Sequence, residues 1–148
     1  MSTTISSTAD IQAPPEAVWE VLTDFASYSE WNPFMDRVEG TPQVGSKLRV
    51  HMAPPGGRGV TFRPTVLAAD PGRELRWLGR LGFRGLFDGE HFFTLTANGN
   101  GGTRLTQGET FSGALVPLMR GSVSGAEAGF DNFNRALTQR VEALTSGA

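Results

Sequence analysis

The sequence has no cysteine in 148 residues. That excludes disulfides, thiol nucleophiles and cysteine-ligated metals, and it fits a reducing compartment. Lysine occurs once, at Lys47, and the remaining cations are arginines scattered along the chain. With a formal net charge of −2, the protein lacks the basic face that nucleic-acid binding needs, so no nucleic-acid partner is expected. There are only two histidines, His51 and His91, and no HxxE, HxH or carboxylate cluster stands at ligand spacing. No metal and no cofactor are therefore expected. The glycine-rich stretches GGRG and NGNGG do not follow a strand and open a helix, so they read as turns and not as phosphate loops. No apolar run approaches the roughly 20 residues of a membrane span. The N-terminal MSTTISSTAD has neither the basic segment nor the apolar core of a secretory signal. A cytoplasmic protein without a membrane span is expected, and the arginine-rich, Gly- and Ala-rich composition suggests a bacterial source.

What is present is an ordinary globular composition, 39% hydrophobic and 19% charged. The length predicts one domain over residues 1–148, able to bury about two-thirds of its unfolded surface. Residues 4–11 read as a first strand. Pro14 and Pro15 then open a helix of about ten residues, because a missing N–H is harmless in a first turn. Val18, Trp19 and Leu22 recur there at helical spacing. ASYSEWNPF predicts a second short helix or turn, with Asn32 extended because Pro33 follows it. Tyr28, the only tyrosine, is expected at the surface.

From Met35 the apolar period becomes two. Leu48, Val50 and Met52 alternate with Lys47, Arg49 and His51, which puts His51 on the outer face. Residues 53–59 form a loop, and 60–70 read as one strand with Pro64 marking an edge or bulge. Strands follow over 74–81, 90–97 and 103–113. GFRGLFDG predicts a loop that carries Phe83, Leu86 and Phe87. The helical period returns from Leu115 to Leu144, with Phe130, Phe133, Leu137, Val141 and Leu144 on one stripe. The order predicts an α+β fold, an antiparallel sheet with helices on one side.

IQAPPEAVWEVLTDFASYSEWNPFM, GGTRLTQGETFSG and GFDNFNRALTQRVEAL resemble, in that order and over nearly the whole chain, the START-like or SRPBCC superfamily. The resemblance implies a helix-grip fold, a curved antiparallel sheet wrapped around a long C-terminal helix with two short helices after the first strand. It also implies a cavity between sheet and helix for an apolar or amphipathic small molecule.

Strand parity supplies the candidate lining. His91 and Phe93 share one face of the strand over 90–97, and Gln107, Glu109 and Phe111 share one face of the next. Buried polar groups left unpaired cost about 1–3 kcal/mol each. His91, Gln107 and Glu109 therefore either satisfy one another or anchor a ligand in a mainly apolar pocket. His91 with Glu109 is also a candidate acid–base pair. Trp31 and Asn32 resemble the family's cavity entrance, whereas Trp31 could equally pack the short helix onto the sheet. Phe62 and Trp77 are wall or core residues, and Phe133 lies on the helix stripe facing them.

Gly121, Gly125 and Gly129 fall on nearly one helix face, at a cost of about 1 kcal/mol each relative to alanine. Three readings stand. The helix approaches the sheet closely there, the missing side chains leave pocket volume, or the helix breaks. On the pocket reading Gly125 and Gly129 line the cavity.

Three functions follow: a carrier of a lipid, polyketide or aromatic compound; a polyketide cyclase or aromatase acting in the same cavity; or an interaction module with a closed core. A homodimer paired through an exposed sheet edge is a further expectation.

Overall fold

The computed structural model describes residues 2–146. Strand β1 (Ser2–Ile11) leads into helix α1 (Pro15–Thr23), a 3-10 turn (Phe25–Ser27) and the one-turn helix α2 (Tyr28–Trp31). Strands β2 (Arg37–Glu39), β3 (Arg49–Met52), β4 (Val60–Phe62), β5 (Thr65–Asp70), β6 (Glu74–Leu81), β7 (Phe87–Ala97) and β8 (Thr103–Ser112) follow. A second 3-10 turn (Val116–Met119) enters the long helix α3 (Arg120–Ser146).

The strands form two antiparallel sheets, one of five strands in the order β1-β8-β7-β6-β5 and one of three in the order β2-β3-β4. The stretch 60–70 is thus two strands and not one. Pro64 has no N–H to give a ladder, so the chain breaks there and passes from the small sheet to the large one. The Pro64 carbonyl still accepts from Leu48 N at 2.8 Å, and a lone bridge between Lys47 and Thr65 ties the two sheets. At the β7–β8 hairpin, Gly99 and Gly101 take φ of 86° and 80°, which side chains disfavour. The Asn98 side chain accepts from Asn100 N and Gly102 N within that turn.

Helix α1 starts as its prolines predict, with Pro14 extended and accepting from Ala17 N and Val18 N. Asn32 is extended and ends α2 one residue before Pro33. Helix α3 lies against β1 and β8, with α1 beside it. Phe130, Phe133, Leu137 and Val141 are buried with Leu75, Trp77, Phe93, Leu95 and Leu105 from the sheet and Val18, Leu22 and Phe25 from the α1 region. Leu144 departs from the expected stripe and is 57% exposed, because the sheet no longer covers the last turn of α3. The outer face of the large sheet is polar. Arg76 bridges Glu74 and Glu90 at 2.8 and 2.7 Å and lies 5.1 Å over the Phe92 ring.

Tyr28 is fully buried and not at the surface. It packs edge-on against Phe25, Trp31 and Phe133, and its hydroxyl donates to the Leu22 carbonyl near the end of α1. That carbonyl belongs to a last helical turn, which has no intrahelical donor, and the phenol supplies one. Burial, aided by nearby Asp24, pushes the Tyr28 phenol well above its ordinary value of 10.0. The unfolded chain therefore ionises its only tyrosine first, and stability is lost as pH rises above about 10. Tyr28→Phe is expected to lose about 1 kcal/mol at pH 8 and to be less sensitive between pH 9 and 11. Urea unfolding at the three pH values measures both effects.

Candidate functional site

A pocket of about 560 Å3 opens between the first turns of α3, the small sheet with its loop 53–59, and the ends of β6, β7 and β8. Its wall is mainly apolar. Val50, Met52 and Phe62 stand on the small sheet, Trp77 and Phe111 on the large one, and Gly121, Gly125 and Ala126 on the helix. Among the described residues, the charged side chains on the wall are Arg58, Arg80 and Glu109. Arg80 has Asp88 3.7 Å away.

Of the residues that the sequence offered as cavity lining, five stand on this wall: Phe62, Trp77, Glu109, Phe111 and Gly125. The others lie behind it or elsewhere. Phe93 and Phe133 are fully buried with their rings 5.3 Å apart. Trp31 is half-buried, edge-on to Tyr28 and Phe133, with its indole nitrogen buried and unpartnered. Asn32 is buried and turns its Oδ1 to Phe34 N and Met35 N at 3.0 and 2.9 Å, so it shapes the chain after α2. Gly129 presses on the Phe34 ring, where an added Cβ would meet Cε1 at 2.3 Å.

His91 and Gln107 form an interior polar chain behind the wall. His91 Nε2 lies 2.8 Å from Gln107 Oε1, and Gln107 Nε2 donates to Asn134 Oδ1 at 2.8 Å. Asn134 Nδ2 donates to the Ser7 carbonyl at 3.2 Å. The imidazole is stacked on Trp77 at 5.3 Å and met edge-on by Phe130 at 5.0 Å. Its Nδ1 reaches Glu109 Oε1 at 3.2 Å. Only the carboxylate end of the chain touches the pocket. The polar groups that parity placed on the inner face thus satisfy one another, and one of them is also presented to the cavity.

Gly89 makes that presentation possible. It pairs with Phe111 across the β7–β8 ladder, beside the His91–Glu109 pair, and any Cβ there would stand 2.2 Å from Glu109 Oε2. The carboxylate lies in the space that the missing side chain leaves.

Sequence reasoning missed Phe34, Arg58, Arg80 and Met119 on the wall. Val50 and Met52 shared the parity of Leu48, and that signal could have found them. The two arginines stand where β6 ends and in the loop 53–59, at positions no periodicity marks.

Helix α3 runs unbroken through the glycine stripe, which excludes the helix-break reading. At Gly121 and Gly125 an added Cβ meets nothing within 4 Å, and both residues face the pocket. The stripe thus serves two ends, open space at the first two glycines and close contact at the third.

His51 is half-buried and bonded to Asp36 at 2.5 Å. It belongs to a separate polar surface recess with Arg37, Glu39, Arg49 and Thr61. Phe83 is 69% exposed, whereas Phe87 belongs to β7 and stacks on Phe111 at 5.6 Å. Among the described residues no helix is long and apolar enough to cross a membrane.

The family model described as polyketide cyclase / dehydrase and lipid transport matches residues 2–142. No curated protein matches the sequence. Among solved structures, a protein from Mesorhizobium loti is 27% identical, with a TM-score of 0.71 over 93% of this chain and 95% of that one. A Streptomyces aromatase/cyclase is 18% identical, with a TM-score of 0.76 over 98% and 96% of the two chains. A START superfamily protein from Mycobacterium smegmatis is 21% identical, with a TM-score of 0.75 over 95% and 98%.

Proposed function

This chain belongs to the polyketide cyclase/dehydrase and lipid transport family, and we propose that it binds an apolar or amphipathic small molecule, a lipid, polyketide or aromatic compound, in the pocket between sheet and α3. The observation that carries this reading is the pocket itself. About 560 Å3 walled by Phe62, Trp77, Phe111 and two bare helical glycines falls within the size and character of small-molecule sites. A closed interaction module would fill that space with side chains. Glu109, a carboxylate on β8 beside Phe111, supplies a polar contact that orients a guest.

The test is native mass spectrometry of protein purified from its own host. A co-purifying mass of a few hundred daltons is expected, displaced by added apolar aromatic compounds. Protein that arrives empty and binds no apolar probe would overturn the reading.

A second reading, a cyclase or aromatase, is favoured by one observation, the contact of His91 with Glu109 at the pocket wall. Incubation with a linear poly-β-keto thioester separates the two. A carrier leaves the spontaneous product mixture unchanged, and a cyclase narrows it to one ring pattern.

A further inference from the structure

The interior chain has a direction. The Ser7 carbonyl can only accept a hydrogen bond, so the Asn134 group 3.2 Å from it is the amide NH2. Asn134 Oδ1 is left to accept from Gln107 Nε2, and Gln107 Oε1 to accept from His91 Nε2. His91 Nε2 therefore carries a hydrogen. On the other side of the ring, Nδ1 stands 3.2 Å from Glu109 Oε1. A bare carboxylate opposite a bare ring nitrogen would set two lone pairs face to face, so one proton lies between them. It sits either on Nδ1 beside an ionised Glu109, or on Oε1 beside a neutral His91. Both arrangements have zero net charge, and both leave Glu109 Oε2 without a hydrogen. Oε2 has no protein partner among the described residues, and it rests over Gly89 on the pocket wall.

We propose that the His91–Glu109 pair is a hydrogen-bond acceptor of zero net charge, and that it selects ligands carrying a hydroxyl group (an alcohol, phenol or enol) over carboxylates of the same shape. The proposal rests on the pocket reading above and adds the chemical class of the guest. A hydroxyl placed beside Gly89 donates to Oε2 while its apolar body lies against Trp77 and Phe111. A carboxylate there offers no hydrogen and opposes its lone pairs to those of Oε2. An acid would instead be drawn to the other charged groups of the wall, Arg58 and Arg80.

Calorimetric titration with 2-naphthol, 2-methoxynaphthalene and 2-naphthoate tests the proposal. The parent protein is expected to bind the naphthol at least about fivefold more tightly than the methyl ether, the usual net value of one hydrogen bond, and more tightly than the naphthoate. Glu109→Gln keeps that preference, because the glutamine N–H donates to a neutral Nδ1 and its carbonyl oxygen takes the place of Oε2. Glu109→Leu abolishes it. Gly89→Ala, which leaves both polar residues in the chain but displaces the carboxylate, also abolishes it and keeps the test valid if the leucine variant fails to fold. Nitrogen-15 NMR of Glu109→Gln reads the direction of the chain without any ligand, and His91 is expected as the single tautomer with its hydrogen on Nε2.

Each of these results would overturn the proposal: a naphthol preference lost in Glu109→Gln as fully as in Glu109→Leu, a parent protein that favours the naphthoate, or a His91 hydrogen on Nδ1 in Glu109→Gln. Folded parent protein that binds none of the three probes removes the pocket reading, and the proposal with it. Probe binding without hydroxyl preference removes only the proposal.

Discussion

Replacing Gln107 with leucine is expected to lower the stability of the protein by about 3 kcal/mol. Gln107 is fully buried and is the middle member of the chain that runs from His91 to Asn134. Leucine has a similar volume, so the loss is not chiefly a cavity effect. It comes from two buried groups stripped of partners, the His91 Nε2 hydrogen and Asn134 Oδ1. Neither has a route to water, since His91 is fully buried and Asn134 only 2% exposed. Each such orphan costs about 1–3 kcal/mol, and for a chain of this size each kcal/mol lowers the melting temperature by about 2–4 °C. A fall of about 6–12 °C in a thermal melt follows. The double variant His91→Leu/Gln107→Leu removes both ends of one hydrogen bond together. Its loss should be smaller than the sum of the single losses, because replacing both partners by apolar groups removes an orphan. A Gln107→Leu protein that melts within a degree of the parent would mean that the chain contributes nothing to stability.

The same chain shows what was legible in the sequence and what was not. Period two over β7 and β8 is a local property, so the inward face of His91, Phe93, Gln107 and Phe111 could be read directly, as could the stripe from Phe130 to Val141. Parity names a face but not a depth along it. Phe93 and Trp77 share the inner face of the sheet, yet Trp77 reaches the pocket wall and Phe93 is sealed beneath Phe133. The division is made by α3, which offers phenylalanines over one half of the sheet and glycines over the other. Tyr28 was misplaced for a related reason. Its burial depends on how α1, α2 and α3 meet, a matter of tertiary packing that no spacing within YSEW records. Pro64 was visible as an edge or bulge within one strand. That it marks a passage between sheets follows only from the pairing of β4 with β3 and of β5 with β6. The Gly89 vacancy that holds the Glu109 carboxylate is likewise a cross-strand property, since the two residues lie twenty positions apart.

Leucine at Gly125 and leucine at Gly129 are expected to act in opposite ways, although the two positions are one turn apart on the same helix face. At Gly125 an added Cβ meets nothing within 4 Å, and the side chain extends into the pocket. Folding is retained, with a gain of up to about 1 kcal/mol from replacing a glycine inside a helix, and binding of 2-naphthol is lost because its space is occupied. At Gly129 the first added carbon would stand 2.3 Å from the Phe34 ring. Phe34 is 2% exposed and held edge-on to Phe130 at 5.8 Å, so its ring is confined except where it borders the pocket. Overpacking of this kind costs about 1–3 kcal/mol, and a bulky leucine in direct collision belongs at the upper end. Chemical denaturation of Gly129→Leu should show that loss, while its folded fraction still takes up the probe. Unchanged binding in Gly125→Leu would place the guest elsewhere, and equal stability of the two variants would mean that Phe34 yields. The same small residue is thus kept for two reasons. Glycine at 129 admits a neighbouring ring, which brings α3 down onto the chain after α2. That close approach sets the depth of the pocket whose upper wall Gly121 and Gly125 leave bare.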